Sequence, residues 1–427
     1  VALLSGYVLG YAFILDLPRS EGNSKKDPDS SEVKAKKTKK KEGRATKKPR
    51  SSLFKKRENT GTAVVVLCIV IFSGVSLHYD YYIASNINVE FIPSQWVNTL
   101  EWMEKGTPDT GISYFGPYTG KWVYPADSYG VLSWWDFGHW ITFIGKRIPV
   151  TNPFQDNVEA SAAFFLAESE EPANAIADSY GVKYVITDWK MPYSIFRSIV
   201  RWNNVSRIDG YYSQPFFIRS HSKDGLIASE TLLGSPYYST MVSRLHNFDG
   251  SMAEPGVVAY IEVPTIPQSS GILYLDTYEV LPITEALERM RKFELTASDT
   301  KKAVLMGISL DSPVEPVSAL HHYRLVYETA GMSPGTGYDL TKQVKTFEYV
   351  KGARLEGEGT IEVTIQTNLG RQFIYRQKSE NGLFVLPYPT RNSPYPVYAI
   401  GPYRILPSGR TIEIDESDVV NGLTINR

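Results

Sequence analysis

At 427 residues the chain has room for two or three domains together with membrane-embedded segments. Its single cysteine, Cys68, excludes a disulfide framework and a Cys-based metal site, and its six histidines show no tight His/carboxylate spacing of the zinc-hydrolase kind. The net charge of −1 conceals unlike halves: residues 1–80 hold 16 Lys and Arg against 8 Asp and Glu, and the rest holds 29 against 38.

The sequence opens on Val inside an apolar run, as expected of a fragment of a longer protein. Residues 1–17 are apolar apart from Asp16 and are expected to be a cut-off transmembrane helix. A signal-peptide core is the other reading, but neither a basic N-region nor a small-residue cleavage site accompanies it. Residues 61–83 are uncharged except for Asp80 and close on Tyr79, Tyr81 and Tyr82. They approach the roughly 20 residues that span a bilayer, with aromatic residues at an interface. Between the two runs, residues 18–60 are Lys-rich and lack hydrophobic periodicity, so a disordered cytoplasmic loop is expected there. A nucleic-acid-binding tail is the rival reading, and the flanking apolar runs argue against it. That orientation sends everything after Ile83 outside the cell.

Beyond Ile83 the expected class is α+β: a mixed α/β core over residues 84–291, then a β-rich domain over 292–427. In the core, residues 94–103 follow Pro93 as an amphipathic helix with Trp96, Leu100 and Met103 on one face. Residues 160–167 and 171–178 are helical by propensity, the second with Pro172 in its first turn, and 182–187 read as a buried strand. In the second part, 257–263 and 272–275 suit strands and 283–292 a helix. From about residue 344, alternating segments at 347–350, 360–367, 372–376 and 382–386 are separated by Gly- or Asn-containing turns. They predict a small antiparallel sandwich, with the Tyr-Pro pairs at 388–389 and 395–396 as edge or loop elements.

Two stretches carry chemistry. The first is Trp134-Trp135-Asp136-Phe137-Gly138-His139-Trp140. Each indole brings a flat apolar surface and one N–H donor, and an ionised Asp brings acceptors alone. Together they can surround a small polar group, and a buried pocket of that kind rejects an analogue lacking a hydroxyl. The same residues also fit a Trp-rich core turn in which Asp136 caps the following helix. The second stretch begins at Asp188 and spaces Asp188, Met191, Ile195 and Ile199 along one face of a helix that Pro192 would kink. A capping Asp with core Met and Ile is the plainer reading of it. His139 is open to two roles, orienting Asp136 or ending the turn. His321 and His322 are adjacent and expected to be structural, and Asn204-Val205-Ser206 is a potential glycan acceptor.

The first stretch resembles the Trp-Trp-Asp-Tyr-Gly signature of oligosaccharyltransferase catalytic subunits, with Phe137 at the Tyr position. The run through Ile141 and on to Thr151-Asn152-Pro153-Phe154-Gln155 is similar to the archaeal AglB type. Asp188-x-x-Met191-x-x-x-Ile195 resembles a mixed version of a second family signature. The resemblance implies the C-terminal portion of an enzyme transferring a dolichyl-phosphate-linked oligosaccharide to Asn of Asn-x-Ser/Thr. It implies substrate-binding roles for Trp134, Trp135 and Asp136 at the Ser/Thr hydroxyl and for Ile195 and Met191 at the Thr methyl, with Asp188 as a cap or support. No catalytic or metal-binding residue is expected in this chain; a divalent cation, manganese or magnesium, is implied for loops outside it. The implied partners are an acceptor polypeptide, a lipid-linked oligosaccharide and the membrane, with no nucleic acid, in a multi-pass, single-subunit enzyme of the cell membrane. The alternatives are a membrane-anchored adhesion protein and a carbohydrate-binding module or glycosidase. The last needs two facing carboxylates, and the spacing offers no such pair.

Overall fold

The computed structural model describes residues 53–425 apart from 87–91, 117–122, 204–207, 214–215, 220–225, 228–230, 266–272, 276, 297–299 and 331–341. The first apolar run, most of the basic loop and the acceptor motif at Asn204 lie outside the described residues. The chain divides into two units, Val1–Asn88 and Val89–Arg427.

The first unit contributes helix α1, Leu53–Asn86. Within it, Ala63–Ile83 has 21 residues with mean hydropathy 1.9 and none of its most apolar stretch buried. It is the one helix among the described residues long and apolar enough to cross a membrane.

The second unit is built around a mixed five-stranded sheet. Helix α2, Ser94–Gly106, starts directly after Pro93, whose fixed φ leads into a first turn that needs no proline N–H. It buries Trp96, Leu100 and Met103, the face its spacing predicts. The short strand β1, Gly130–Leu132, pairs in parallel on one side with β2, Ile148–Pro149, and on the other with β3, Val182–Asp188. Helices α3 (Gly138–Phe143), α4 (Val158–Leu166) and α5 (Glu170–Ser179) lie between these strands in sequence. β3 is buried along almost its whole length, as a strand covered on both faces must be.

The sheet does not end there. Strand Lys342–Tyr349 pairs antiparallel with β3, Val344 opposite Asp188, and Tyr323–Ala330 pairs with Lys342–Tyr349 in turn. The boundary expected at residue 291 therefore falls inside one hydrogen-bonded sheet rather than between two, because the sequence pattern cannot show which distant strand completes an edge. Tyr388 reinforces the join: its hydroxyl accepts the Leu325 N–H at 2.8 Å.

The remaining strands are antiparallel except for Phe216–Arg219, which pairs in parallel with Leu273–Leu275. Thr360–Gln366 lies between Gln372–Lys378 and Tyr403–Leu406, and Ala353–Glu356 pairs with Leu383–Leu386. Both strands near 347 and 360 occur where alternation predicts, but only the second belongs to this layer. Val257–Pro264 forms a separate three-stranded sheet with Tyr278–Pro282 and Lys301–Gly307. The two histidines are tied by their backbones: Glu170, in the first turn of α5, accepts the N–H groups of His321 and His322 at 2.8 and 3.1 Å.

One local expectation is overturned. No helix begins at Asp188. That residue ends β3, residues 189–195 fold as turns, and helix α6 spans Phe196–Asn203. Pro192 explains the delay, since it lacks an N–H and disfavours helical backbone at the residue before it. The turn is instead closed on one carbonyl, that of Lys190, which accepts Tyr193 N–H at 3.2 Å and Ile195 N–H at 2.9 Å.

Candidate functional site

Because β1, β2 and β3 are parallel, the segments that follow them leave the sheet along one edge. Ligand-binding groups collect at such carboxyl ends in parallel sheets. The segments are Ser133 to Phe137 after β1, Val150 to Asp156 after β2, and Trp189 to Ile195 after β3. Each of the two chemical stretches read from the sequence thus emerges beside the other.

Four contacts hold the first segment in place. Ser133 Oγ donates to the Ile186 carbonyl of β3 at 3.0 Å, while the Ser133 carbonyl accepts Ser161 Oγ of α4 at 2.9 Å. Gly138 lets the turn lie against the segment after β2, since a Cβ there would stand 2.2 Å from the Thr151 carbonyl oxygen and 2.6 Å from Asn152 Cα. Phe137 turns inward and stacks on Trp96 of α2, ring centres 4.2 Å apart at 27°. The family's Tyr position is therefore an interior one in this chain.

Residues Trp135–Phe137 form a single 3-10 turn. Trp134 is 1% exposed and its indole lies 6.3 Å from that of Trp135. The Asp136 carboxylate is exposed, and the Trp134 side chain acts on it as a polar neighbour that favours the ionised form. Partial burial raises the Asp136 carboxyl above its ordinary range, against the opposing effects of the Lys190 charge and the Trp134 side chain. Asp136 makes no side-chain cap to α3, so the capping reading does not describe it. Trp135 is half-buried, and its Nε1 is shielded from solvent with no hydrogen-bond partner in the protein. A buried donor left in this way asks for an acceptor from outside the chain. An unpaired donor and an ionisable acceptor on adjacent residues suit one hydroxyl, which accepts from the first and donates to the second. The His139 ring turns to Phe154, which it meets edge-on at 5.1 Å.

Asp188, on the neighbouring strand, is 2% exposed. Its Oδ2 accepts Trp96 Nε1–H at 2.8 Å and its Oδ1 accepts the Lys190 N–H at 2.7 Å. Burial pushes its carboxyl up to about 6, with those two bonds and the Lys190 charge pulling the other way. Asp188 therefore closes a turn and anchors α2; it does not cap a helix. Through Trp96 it is coupled to Phe137, one residue from Asp136.

The two apolar candidates separate. Met191 is 0% exposed and its sulfur accepts the Asp188 N–H at 3.4 Å, so it has no surface to offer a ligand. The helical spacing that paired it with Ile195 does not exist in the turn. Ile195, where the turn meets α6, is half-buried against the core and keeps part of its side chain free.

Lys190 and Trp189 carry more of the site than their place in the sequence suggested. Lys190 is the positive group acting on both Asp136 and Asp188. A signal was present, since both lie between two residues of a recognised motif, but the motif treats those positions as free. Trp96 was legible as a core residue, though not as a donor to a carboxylate 92 positions away. Among the described residues no three His, Cys, Asp or Glu side chains come together to hold a metal ion. A small cavity lined by His321, Lys378 and Glu380 shares no residue with this edge.

Comparison with known proteins shows what the chain is similar to. Residues 93–192 match the AglB core domain, and residues 352–425 match the archaeal glycosylation protein B long peripheral domain. The chain is 31% identical over 366 residues to the dolichyl-monophosphooligosaccharide–protein glycotransferase AglB of Haloferax volcanii, covering 71% of this chain and 34% of that protein. It is 32% identical over 381 residues to dolichyl-phosphooligosaccharide-protein glycotransferase 3 of Archaeoglobus fulgidus, covering 77% and 42%. The chain thus spans between a third and a half of the length of these relatives. Among solved structures, an Archaeoglobus fulgidus oligosaccharyltransferase tethered to an acceptor peptide with the NVT sequon superposes with a TM-score of 0.52 at 26% identity, over 78% of this chain and 43% of that one. The sheet edge that carries Trp134, Trp135 and Asp136 lies within the core-domain match, and over both matched domains the chain is similar to archaeal oligosaccharyltransferases of the AglB type.

Proposed function

We propose that this chain is the acceptor-reading part of an oligosaccharyltransferase that moves a dolichyl-phosphate-linked oligosaccharide onto Asn of Asn-x-Ser/Thr. The observation that carries the reading is the unpartnered Trp135 indole N–H beside the Asp136 carboxylate. The sequon hydroxyl donates to Asp136 and accepts from Trp135. Trp134 favours the ionised carboxylate, and Ile195 offers the apolar wall for the Thr methyl. Met191 and Asp188 support that wall from beneath.

These residues recognise and do not react. The acceptor amide nitrogen is a poor nucleophile, because its lone pair is delocalised into the carbonyl. In this reading its activation belongs to groups outside this chain, as does the divalent cation, manganese or magnesium. Residues 61–83 cross the membrane in this reading, and the Lys-rich sequence before them favours the cytoplasmic side, which puts the core domain outside the cell. The partners are the acceptor polypeptide and the lipid-linked oligosaccharide, in a single-subunit enzyme.

The test is glycosylation of peptide acceptors by the whole protein. Asn-x-Thr is modified and Asn-x-Ala is not, and Asp136→Ala abolishes the difference by reducing the first to the level of the second. Equal use of both peptides by the unaltered protein overturns the reading, as does full retention of Thr preference in Asp136→Ala.

A further inference from the structure

A second indole on the same edge also has no partner. Trp189 follows Asp188 at the carboxyl end of β3, and its Nε1, like that of Trp135, is shielded from solvent without any acceptor in the protein. The hydroxyl reading is already complete without this group: Asp136 takes the O–H and Trp135, on the same segment as Asp136, donates to the oxygen, whereas Trp189 stands on the neighbouring segment. An indole N–H only donates, so Trp189 calls for a further acceptor on whatever binds here.

Its surroundings fix where that acceptor lies. The Trp189 ring is stacked on Tyr193, centres 6.1 Å apart at 28°, and Tyr193 is 38% exposed. Lys190 Nζ stands 5.9 Å from the Trp189 ring centre. The same ammonium acts on Asp136, so Trp189 and the hydroxyl-binding carboxylate share a neighbour. The two tryptophans lie on the segments that follow adjacent parallel strands, Trp189 directly after β3 and Trp135 three residues after β1. The acceptors that any peptide bound along such an edge presents at every residue, whatever its sequence, are its main-chain carbonyls.

We propose that Trp189 is a peptide-binding residue of this site: its indole N–H donates to a main-chain carbonyl of the acceptor within about two residues of the sequon Ser/Thr, with the Trp189–Tyr193 ring pair supporting the chain there. The contact is blind to side-chain identity. It adds affinity for any acceptor and no preference for Thr over Ser. The inference rests on the acceptor-reading role argued above and extends it from the hydroxyl to the backbone.

The experiment uses the whole protein in detergent or native membranes, with an Asn-x-Thr peptide and a set of analogues in which single amides are replaced by esters, whose carbonyls accept hydrogen bonds weakly. For the unaltered protein one ester position near the Thr raises KM by about 3- to 10-fold, the value of one neutral hydrogen bond. Trp189→Phe, which keeps a ring for the stack, raises KM of the all-amide peptide by a similar factor for Thr and Ser acceptors alike, leaves kcat unchanged, and removes the sensitivity to that ester. The proposal is overturned if no ester position near the Thr matters to the unaltered protein, a result independent of how the variant folds. It is equally overturned if Trp189→Phe keeps its KM or still feels the ester. Failure of the underlying reading shows separately, as equal use of Asn-x-Thr and Asn-x-Ala by the unaltered protein.

Discussion

Trp96 and Asp188, 92 positions apart in the chain, are joined by a 2.8 Å hydrogen bond from the indole to a carboxylate that is 2% exposed. The bond binds helix α2 to the end of β3, and the same indole stacks against Phe137. One residue therefore sets the spacing between the two recognition segments.

Removing that donor tests the link. Trp96→Phe leaves Asp188 with one fewer partner and costs about 1–3 kcal/mol at pH 7 to 8, the penalty for orphaning a buried polar group. Asp188 titrates near 6, above the ordinary carboxylate range, so its contribution to folding is fully present in acid and is lost as pH rises through about 6. Accordingly the gap in thermal midpoint between Trp96→Phe and the unaltered protein narrows when pH falls from 8 to 5. Asp188→Asn flattens the dependence of stability on pH across the same range.

Gly138 is a second point of contact, between the turn after β1 and the segment after β2. Gly138→Ala drives its methyl into the Thr151 carbonyl and costs about 1–3 kcal/mol or more by overpacking. At Gly210 nothing lies within 4 Å of the place a methyl would take, so Gly210→Ala serves as the control and stays near neutral. Denaturant titration followed by tryptophan fluorescence separates the two.

Ile195 and Met191 make opposite predictions. Ile195→Ala lowers the preference for Thr over Ser acceptors by a few-fold or more, since one methyl in an apolar pocket is worth about 1–3 kcal/mol. Met191→Ala leaves the Thr/Ser ratio alone and destabilises the fold by about 2–5 kcal/mol, the cost of emptying a buried site. The ratio of kcat/KM values for paired peptides reads the first effect, and thermal unfolding reads the second.

Asp136 supplies a pH signature. Its carboxyl is raised by partial burial, so acceptor affinity that depends on the ionised form falls on the acid side at a pH above the ordinary carboxylate range. Lys190→Gln removes an opposing positive charge and moves that fall to still higher pH, while Lys190→Arg restores it. KM measured against pH for one Asn-x-Thr peptide gives both shifts.

Much of this was legible in the residues themselves. The helix face of Trp96, Leu100 and Met103, the buried strand at 182–187 and the alternating strands beyond 360 follow from local spacing, and the structure forms them there. The grouping of two indoles with Asp136 was visible because the residues are consecutive. What local pattern could not supply was partnership over distance. Nothing near Lys342–Tyr349 announces that it completes the sheet beside β3, and nothing near Trp96 announces a carboxylate partner. No helix forms at Asp188 despite the apolar spacing, because the missing N–H of Pro192 decides the local backbone.

The most direct measurement is a double-mutant cycle between Trp135→Phe in the protein and Thr→Val in the acceptor peptide, scored by kcat/KM in the whole enzyme. Thr and Val share a shape and differ in the hydroxyl. If the indole N–H binds that hydroxyl, much of the penalty of the Val peptide disappears in Trp135→Phe, giving a coupling of about 0.5–3 kcal/mol, as between groups in contact. Penalties that simply add would contradict the account.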